Sequence, residues 1–223
     1  MESASTDSLD AVQRKDYVEI SKEMDPADFP ISPFYRKYIK SVLISEADLE
    51  KRSAEIAMQI ADTYKERPYY IIVTLKAAAE FYMMIYKYLK KIYESGKYNN
   101  CVRHEYLRVK SYENTKSAGS ITFIGGESFS AKDKEVLIIE DMIDTGRTIK
   151  TMIEKYKSEG AKSVKVATLA IKESHPKDIR VDFVAFKVPN VFAIGFGMDY
   201  NEYVRDLSCV CVLNSDGFEA FKV

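Results

Sequence analysis

The spacing of apolar and polar positions predicts alternating helices and strands along most of the chain. Helical spacing begins at Ser45, a residue type suited to capping, and Leu49, Ala54, Ile56, Ala57 and Ile60 form a one-sided apolar face. Tyr69 to Leu75 is a compact β-branched and aromatic run that predicts a buried strand. Ala77 to Tyr93 reads as a second helix with Phe81, Met84, Ile85, Tyr88 and Leu89 inward. Further strands are predicted at 106–109, 122–124, 136–139, 164–171, 183–186 and 192–196, and a helix over 148–158 that stops near Gly160. Strands and helices alternating at this length imply right-handed crossovers and a mostly parallel sheet flanked by helices. The fold class is α/β. The polar first twenty residues, rich in Ser and Asp, predict a loosely held arm before a single domain over 21–223.

At 223 residues the chain fits one domain, or a core with a small hood. With 33 basic and 34 acidic residues the net charge is −1, so no overall basic field points to nucleic acid. Three cysteines are too few, and odd in number, for a secreted disulfide framework. No apolar run approaches a membrane span; the longest, Tyr69 to Leu89, is interrupted by Lys76, Glu80 and Lys87. The opening residues lack the basic and apolar regions of a signal peptide. A cytoplasmic protein is expected.

Chemistry concentrates in Val136-Leu-Ile-Ile-Glu140-Asp141-Met142-Ile-Asp144-Thr145-Gly146-Arg147-Thr148. A buried strand delivers two adjacent carboxylates at its end, followed by a tight turn and a helix start. Ligands of open α/β sheets sit at such strand ends, where a helix N-terminus offers unpaired N–H groups to an anion. Thr145 and Thr148 add hydroxyls, and Gly146 permits close backbone approach, so phosphate fits the turn. Glu140 and Asp141 would repel that phosphate and suit sugar hydroxyls or a magnesium ion instead. Taken alone, the same residues also fit a solvated acidic loop capping a helix. No GxxxxGK[ST] run occurs, and Gly195-Phe-Gly197-Met-Asp199-Tyr lacks the third glycine of a dinucleotide fingerprint.

This segment resembles the diphosphoribosyl-binding signature of type I phosphoribosyltransferases. Arg108-Val-Lys110-Ser111-Tyr112 is similar to the mobile loop of the hypoxanthine-guanine members. Val164 to Lys172 and Asp199-Tyr-Asn-Glu-Tyr-Val-Arg205-Asp206 are similar to two further segments, in the same order. The resemblance implies a hood built from the N- and C-terminal segments. It also implies a purine-salvage reaction: a 6-oxopurine and 5-phosphoribosyl-1-diphosphate, with Mg²⁺, give the nucleoside monophosphate and pyrophosphate. Residue by residue, it puts the 5′-phosphate at Asp144 to Thr148 and the ribose hydroxyls at Glu140 and Asp141. Asp144 falls near purine N7, a position where a carboxylate can take up a proton. Lys76, Ala77 and Arg205 fall at the pyrophosphate site. Lys172 falls opposite the purine 6-oxygen, Phe192 and Met142 on the ring faces, and Ala193 and Asp199 along its N1 and C2 edge. Asp199, with Glu140 and Asp141, is a candidate magnesium ligand. Ser111 and Tyr112 belong to the implied lid over 110–120, and a homodimer or homotetramer is expected.

The sequence departs from the family at one motif, where Lys76-Ala77-Ala78 replaces Lys-Gly-Gly and the peptide after the lysine is implied to be cis or strained. If alanine restricts that turn, glycine at 77 and 78 should lower the Michaelis constant for the sugar substrate. A catalytically feeble nucleotide sensor, or a transferase preferring xanthine, is the competing reading. Cys209 and Cys211 share one strand face and read as core, while His104 and His175 sit in polar contexts and read as surface.

Overall fold

The computed structural model describes residues 16–111, 121–126 and 129–223. Its elements in chain order are β1 Val18–Glu19, α1 Pro33–Arg36, β2 Ile39–Ile44, α2 Glu46–Tyr64, β3 Tyr69–Leu75, α3 Ala78–Glu94 and β4 His104–Ser111. There follow β5 Ile121–Ile124, β6 Glu135–Ile143, α4 Arg147–Ser158, β7 Ser163–Lys172, β8 Phe183–Val188, β9 Ala193–Ile194, β10 Val210–Leu213 and α5 Ser215–Ala220. The main sheet runs β1-β8-β7-β6-β3-β4-β5 and is parallel except for β5, which pairs antiparallel to β4. Val136, Leu137, Ile138 and Ile139 are fully buried because β6 is covered on both faces, which is why its sequence is a continuous apolar run. Leu137 and Ile139 pack in the cluster that holds α2 and α3. Val136 and Ile138 pack with Ile149, Met152 and Tyr156 of α4. Central strands are therefore fixed from both sides, and their C-terminal ends make a rigid platform.

A second, antiparallel sheet of order β2-β10-β9 joins segments near both chain ends into a hood. Its connection to the platform is β9, whose Ala193 pairs with Val212 and whose next residues turn back toward the main sheet. Phe192 to Phe196 is not one strand as expected. Gly195, Phe196 and Gly197 all take positive φ, which ends the extended backbone after Ile194.

Other differences from the sequence reading have equally local causes. Ser45 does cap α2, accepting from the N–H of Asp48 at 3.1 Å. β6 continues four residues beyond Ile139, because Glu140, Met142 and Ile143 keep pairing with Thr168, Ala170 and Ile171 of β7. The expected loose arm over 1–20 does not hold for its last residues: Val18 and Glu19 pair with β8, and Ile20 donates to the Lys187 carbonyl at 2.8 Å. Its residues 1–15 lie outside the described residues. Cys209 and Cys211 are buried with their sulfurs 3.3 Å apart, as core. His104 is not a surface residue; it sits half-buried among Tyr82, Tyr86 and Tyr106. His175 is also half-buried, and burial with nearby Lys187 lowers its pKa. No helix among the described residues is long and apolar enough to cross a membrane.

Candidate active site

Three adjoining cavities open where β3, β6 and β7 end beneath the hood. The first, about 130 Å³, is the turn between β6 and α4, lined by Asp144, Thr145, Gly146, Arg147 and Thr148. Gly146 caps α4 with φ 69° and, lacking a side chain, bonds none of the N–H groups of the helix start. A Cβ at Gly146 would meet the Cδ1 end of Ile179, which can rotate away, so the left-handed φ is what favours glycine here. The second cavity, about 280 Å³, is lined by Thr74, Lys76, Ala77, Glu140, Asp141, Asp199 and Arg205. The third, about 190 Å³, is lined by Ala77, Asp141, Met142, Lys172, Phe192, Ala193, Met198 and Asp199. Met142 borders all three, so they form one cleft.

Apart from Ser111, every site residue expected from the sequence and described in the structure lines this cleft. Ser111 closes β4, while Tyr112 and the rest of the expected lid to 120 lie outside the described residues. A larger cavity of about 520 Å³ opens elsewhere, near Tyr17, His175 and Lys187. Two of its charged groups are paired, Lys187 with Glu19 at 2.7 Å and Asp182 with Lys165 at 3.1 Å.

Charges in the cleft are also paired. Lys172, on the third cavity, has its Nζ 2.6 Å from Oδ2 of Asp144, on the first, joining the end of β7 to the turn after β6. Arg205 meets Asp199 at 2.8 Å and Glu202 at 3.2 Å, and donates to the Gly197 carbonyl at 2.7 Å. Lys76 meets Glu202 at 2.5 Å. Lys76 and then Arg205 hold the Glu202 carboxyl below its ordinary pKa. Glu140 is buried, and burial first, with Asp141 beside it, pushes its carboxyl well above the ordinary glutamate range. Thr74 and the Asp141 N–H oppose that rise.

Two participants were missed in the sequence. Glu202 stands inside the Asp199 to Asp206 run, and its charge opposite two predicted cations was the available signal. Thr74, a small hydroxyl residue within an apolar and aromatic strand, was the other. The cis peptide lies before Lys76, between Leu75 and Lys76, and not after it as expected.

The sequence matches the phosphoribosyl transferase domain family over residues 44–201. The chain belongs to that family. It is 33% identical to hypoxanthine-guanine-xanthine phosphoribosyltransferase of Plasmodium falciparum over 92% of this chain and 91% of that one. It is 34% identical to hypoxanthine-guanine phosphoribosyltransferase of Sus scrofa, over 87% and 90%. Among solved structures, the hypoxanthine-guanine phosphoribosyltransferase of Schistosoma mansoni in complex with IMP superposes with a TM-score of 0.77 at 30% identity, covering 92% of this chain and 98% of that one. The mostly parallel sheet with its hood is thus a type I phosphoribosyltransferase fold.

For this phosphoribosyltransferase the alanines of the lysine motif need no glycine. Ala77 has φ −66° and ψ −37°, ordinary right-handed values, and Ala78 begins α3 with its methyl group fully buried. The expected gain from glycine is therefore corrected. Ala77→Gly with Ala78→Gly should cost about 1 kcal/mol of stability, chiefly at the helical position, and leave the Michaelis constant for the sugar substrate unchanged. Chemical denaturation alongside steady-state kinetics checks both halves of that expectation.

Proposed function

We propose that this chain transfers the 5-phosphoribosyl group from phosphoribosyl diphosphate to hypoxanthine or guanine, yielding the nucleoside monophosphate and pyrophosphate. The Lys172–Asp144 pair carries this reading. It offers a donor and an acceptor side by side where the first and third cavities adjoin. A 6-oxopurine protonated at N7 offers the complement, an acceptor at O6 and a donor at N7, on neighbouring atoms of one edge. The base would take both partners at once, replacing an ion pair by two charge-assisted hydrogen bonds. Phe192, about half exposed on one wall, and Met142 on another leave a slot suited to a planar ring.

In the reaction so read, the N9–C1′ bond forms as the C1′–O bond to pyrophosphate breaks, and the N7 proton moves to Asp144. The free N–H groups at the start of α4, with Thr145 and Thr148, hold the 5′-phosphate. Glu140 and Asp141 accept from the ribose hydroxyls. Lys76 and Arg205 release Glu202 and turn to the leaving pyrophosphate, where negative charge accumulates. Magnesium bound with the substrate would offset charge on the phosphates. Asp141 and Asp199 fit such an ion, because magnesium commonly takes one or two carboxylates and completes its shell with water and phosphate oxygens. Glu140 fits it less well, its carboxyl being buried and already accepting two protein donors.

The test is nucleotide formation by the pure protein with Mg²⁺, phosphoribosyl diphosphate and each purine in turn. Failure with hypoxanthine, guanine and xanthine alike would leave the sensor reading in its place. Adenine should not react, because its 6-amino group and the Lys172 ammonium are both donors. Lys172→Ala should raise the Michaelis constant for the oxopurine by about 10–100-fold, the worth of a hydrogen bond to a charged group. Conversion of adenine at the rate of hypoxanthine would overturn the pocket assignment.

A further inference from the structure

Thr74 stands one residue before the end of β3, and only 4% of its surface is exposed. A buried hydroxyl is costly unless bonded. Thr74 Oγ1 lies 2.8 Å from Glu140 Oε1 and 2.9 Å from the carbonyl oxygen of Ile139, both on the adjacent strand β6. The same Glu140 oxygen accepts the backbone N–H of Asp141 at 3.1 Å. The one hydroxyl proton of Thr74 is shared between Glu140 and Ile139. Thr74 and the Asp141 N–H, from two strands, thus converge on one Glu140 oxygen at the wall of the cavity shared with Lys76 and Arg205. With Oε1 held by two donors, rotation of the Glu140 side chain is restricted. The threonine is itself stiff, since its branched β-carbon restricts rotation. Valine would fill the same space without a donor, and serine would keep the donor without the methyl group.

We infer that Thr74 is a positioning residue for the sugar substrate: its hydroxyl locks the Glu140 carboxylate in the orientation that receives the ribose hydroxyls of phosphoribosyl diphosphate. The inference rests on the ribose-binding reading of Glu140 given above. It assigns β3 a second role beyond carrying Lys76. A group held in advance loses less freedom when substrate arrives, so the benefit falls on sugar affinity and not on the base.

The test is a set of variants in the full chain, Thr74→Val, Thr74→Ser, Glu140→Ala and the double variant Thr74→Val with Glu140→Ala, assayed with Mg²⁺ and phosphoribosyl diphosphate. Thr74→Val should raise the Michaelis constant for phosphoribosyl diphosphate about 10-fold while that for hypoxanthine stays within about twofold. Thr74→Ser should restore the wild-type constant. In the Glu140→Ala background, Thr74→Val should have no further effect, whereas a role in packing alone would persist there. Thr74→Ala replaces Thr74→Val if the latter does not fold. A wild-type constant in Thr74→Val, with a raised one in Glu140→Ala, overturns the role of Thr74 and leaves the ribose reading intact. A wild-type constant in Glu140→Ala overturns the ribose reading, and the inference with it.

Discussion

Asp144→Asn is expected to lower turnover with hypoxanthine by ~10²–10⁴-fold, the usual loss for a general acid or base. The amide oxygen can still accept a hydrogen bond from N7, so the base can bind, but it cannot take up the proton released as N9 bonds to carbon. Lys172 loses its partner in the free protein, and the Asp144 side chain in that pair is about half exposed. An ion pair so open to water contributes about 0–1 kcal/mol, so the variant should fold normally. The turn itself is held by Gly146 and the start of α4, which the substitution does not touch. Nucleoside monophosphate should therefore bind with nearly the wild-type dissociation constant while the forward rate collapses. Calorimetric titration and single-turnover kinetics separate the two. Turnover equal to the wild type would remove Asp144 from proton transfer.

Much of this site was legible in the sequence because it is local. Glu140 to Thr148 form one continuous strand end, turn and helix start, so spacing alone places three carboxylates, a glycine and two hydroxyls together. The double-sided burial of β6 was legible too, since a strand covered on both faces must be apolar at every position. What was not legible depends on pairing between distant strands. Lys172 and Asp144 are 28 residues apart, and only the register of β6 with β7 brings their side chains into contact. Lys76 and Glu202 are 126 residues apart and meet only because the chain after β9 folds back over the end of β3. Thr74 conforms to the β-branched pattern of its strand, so only the contact with Glu140 sets its hydroxyl apart. The lysine motif misled for another reason. Glycine in a family pattern suggests unusual φ, yet Ala77 is helical here, and the left-handed residues lie across the cleft at Gly195, Phe196 and Gly197.

Gly197 is where that backbone demand becomes measurable. Its φ is 89°, and a Cβ there would collide with the carbonyl oxygen of Ala77, with Glu80 Cγ a further 3.2 Å neighbour. The obstacle is backbone, so no side-chain rotation relieves it. Gly197 also accepts from Arg205 Nη1 at 2.7 Å and donates its N–H to the Arg205 carbonyl at 2.9 Å. One residue therefore fixes the distance between the Lys76–Ala77 turn and Arg205, the two sides of the proposed pyrophosphate site. Gly197→Ala should cost about 1–3 kcal/mol of stability from strain and should lower kcat/KM for phosphoribosyl diphosphate about 10²-fold, the loss that misplacement by about 1 Å can bring. Gly96→Ala is the matched control. Gly96 has φ 74° in the turn after α3, with nothing within 4 Å of its would-be Cβ. It carries the same conformational penalty without the collision, so stability should fall by about 1–2 kcal/mol while the kinetics stay as they are. Urea denaturation and initial rates on the two variants make the comparison. If both lose similar stability and both keep wild-type sugar kinetics, the close approach of Gly197 to Ala77 has no part in holding pyrophosphate.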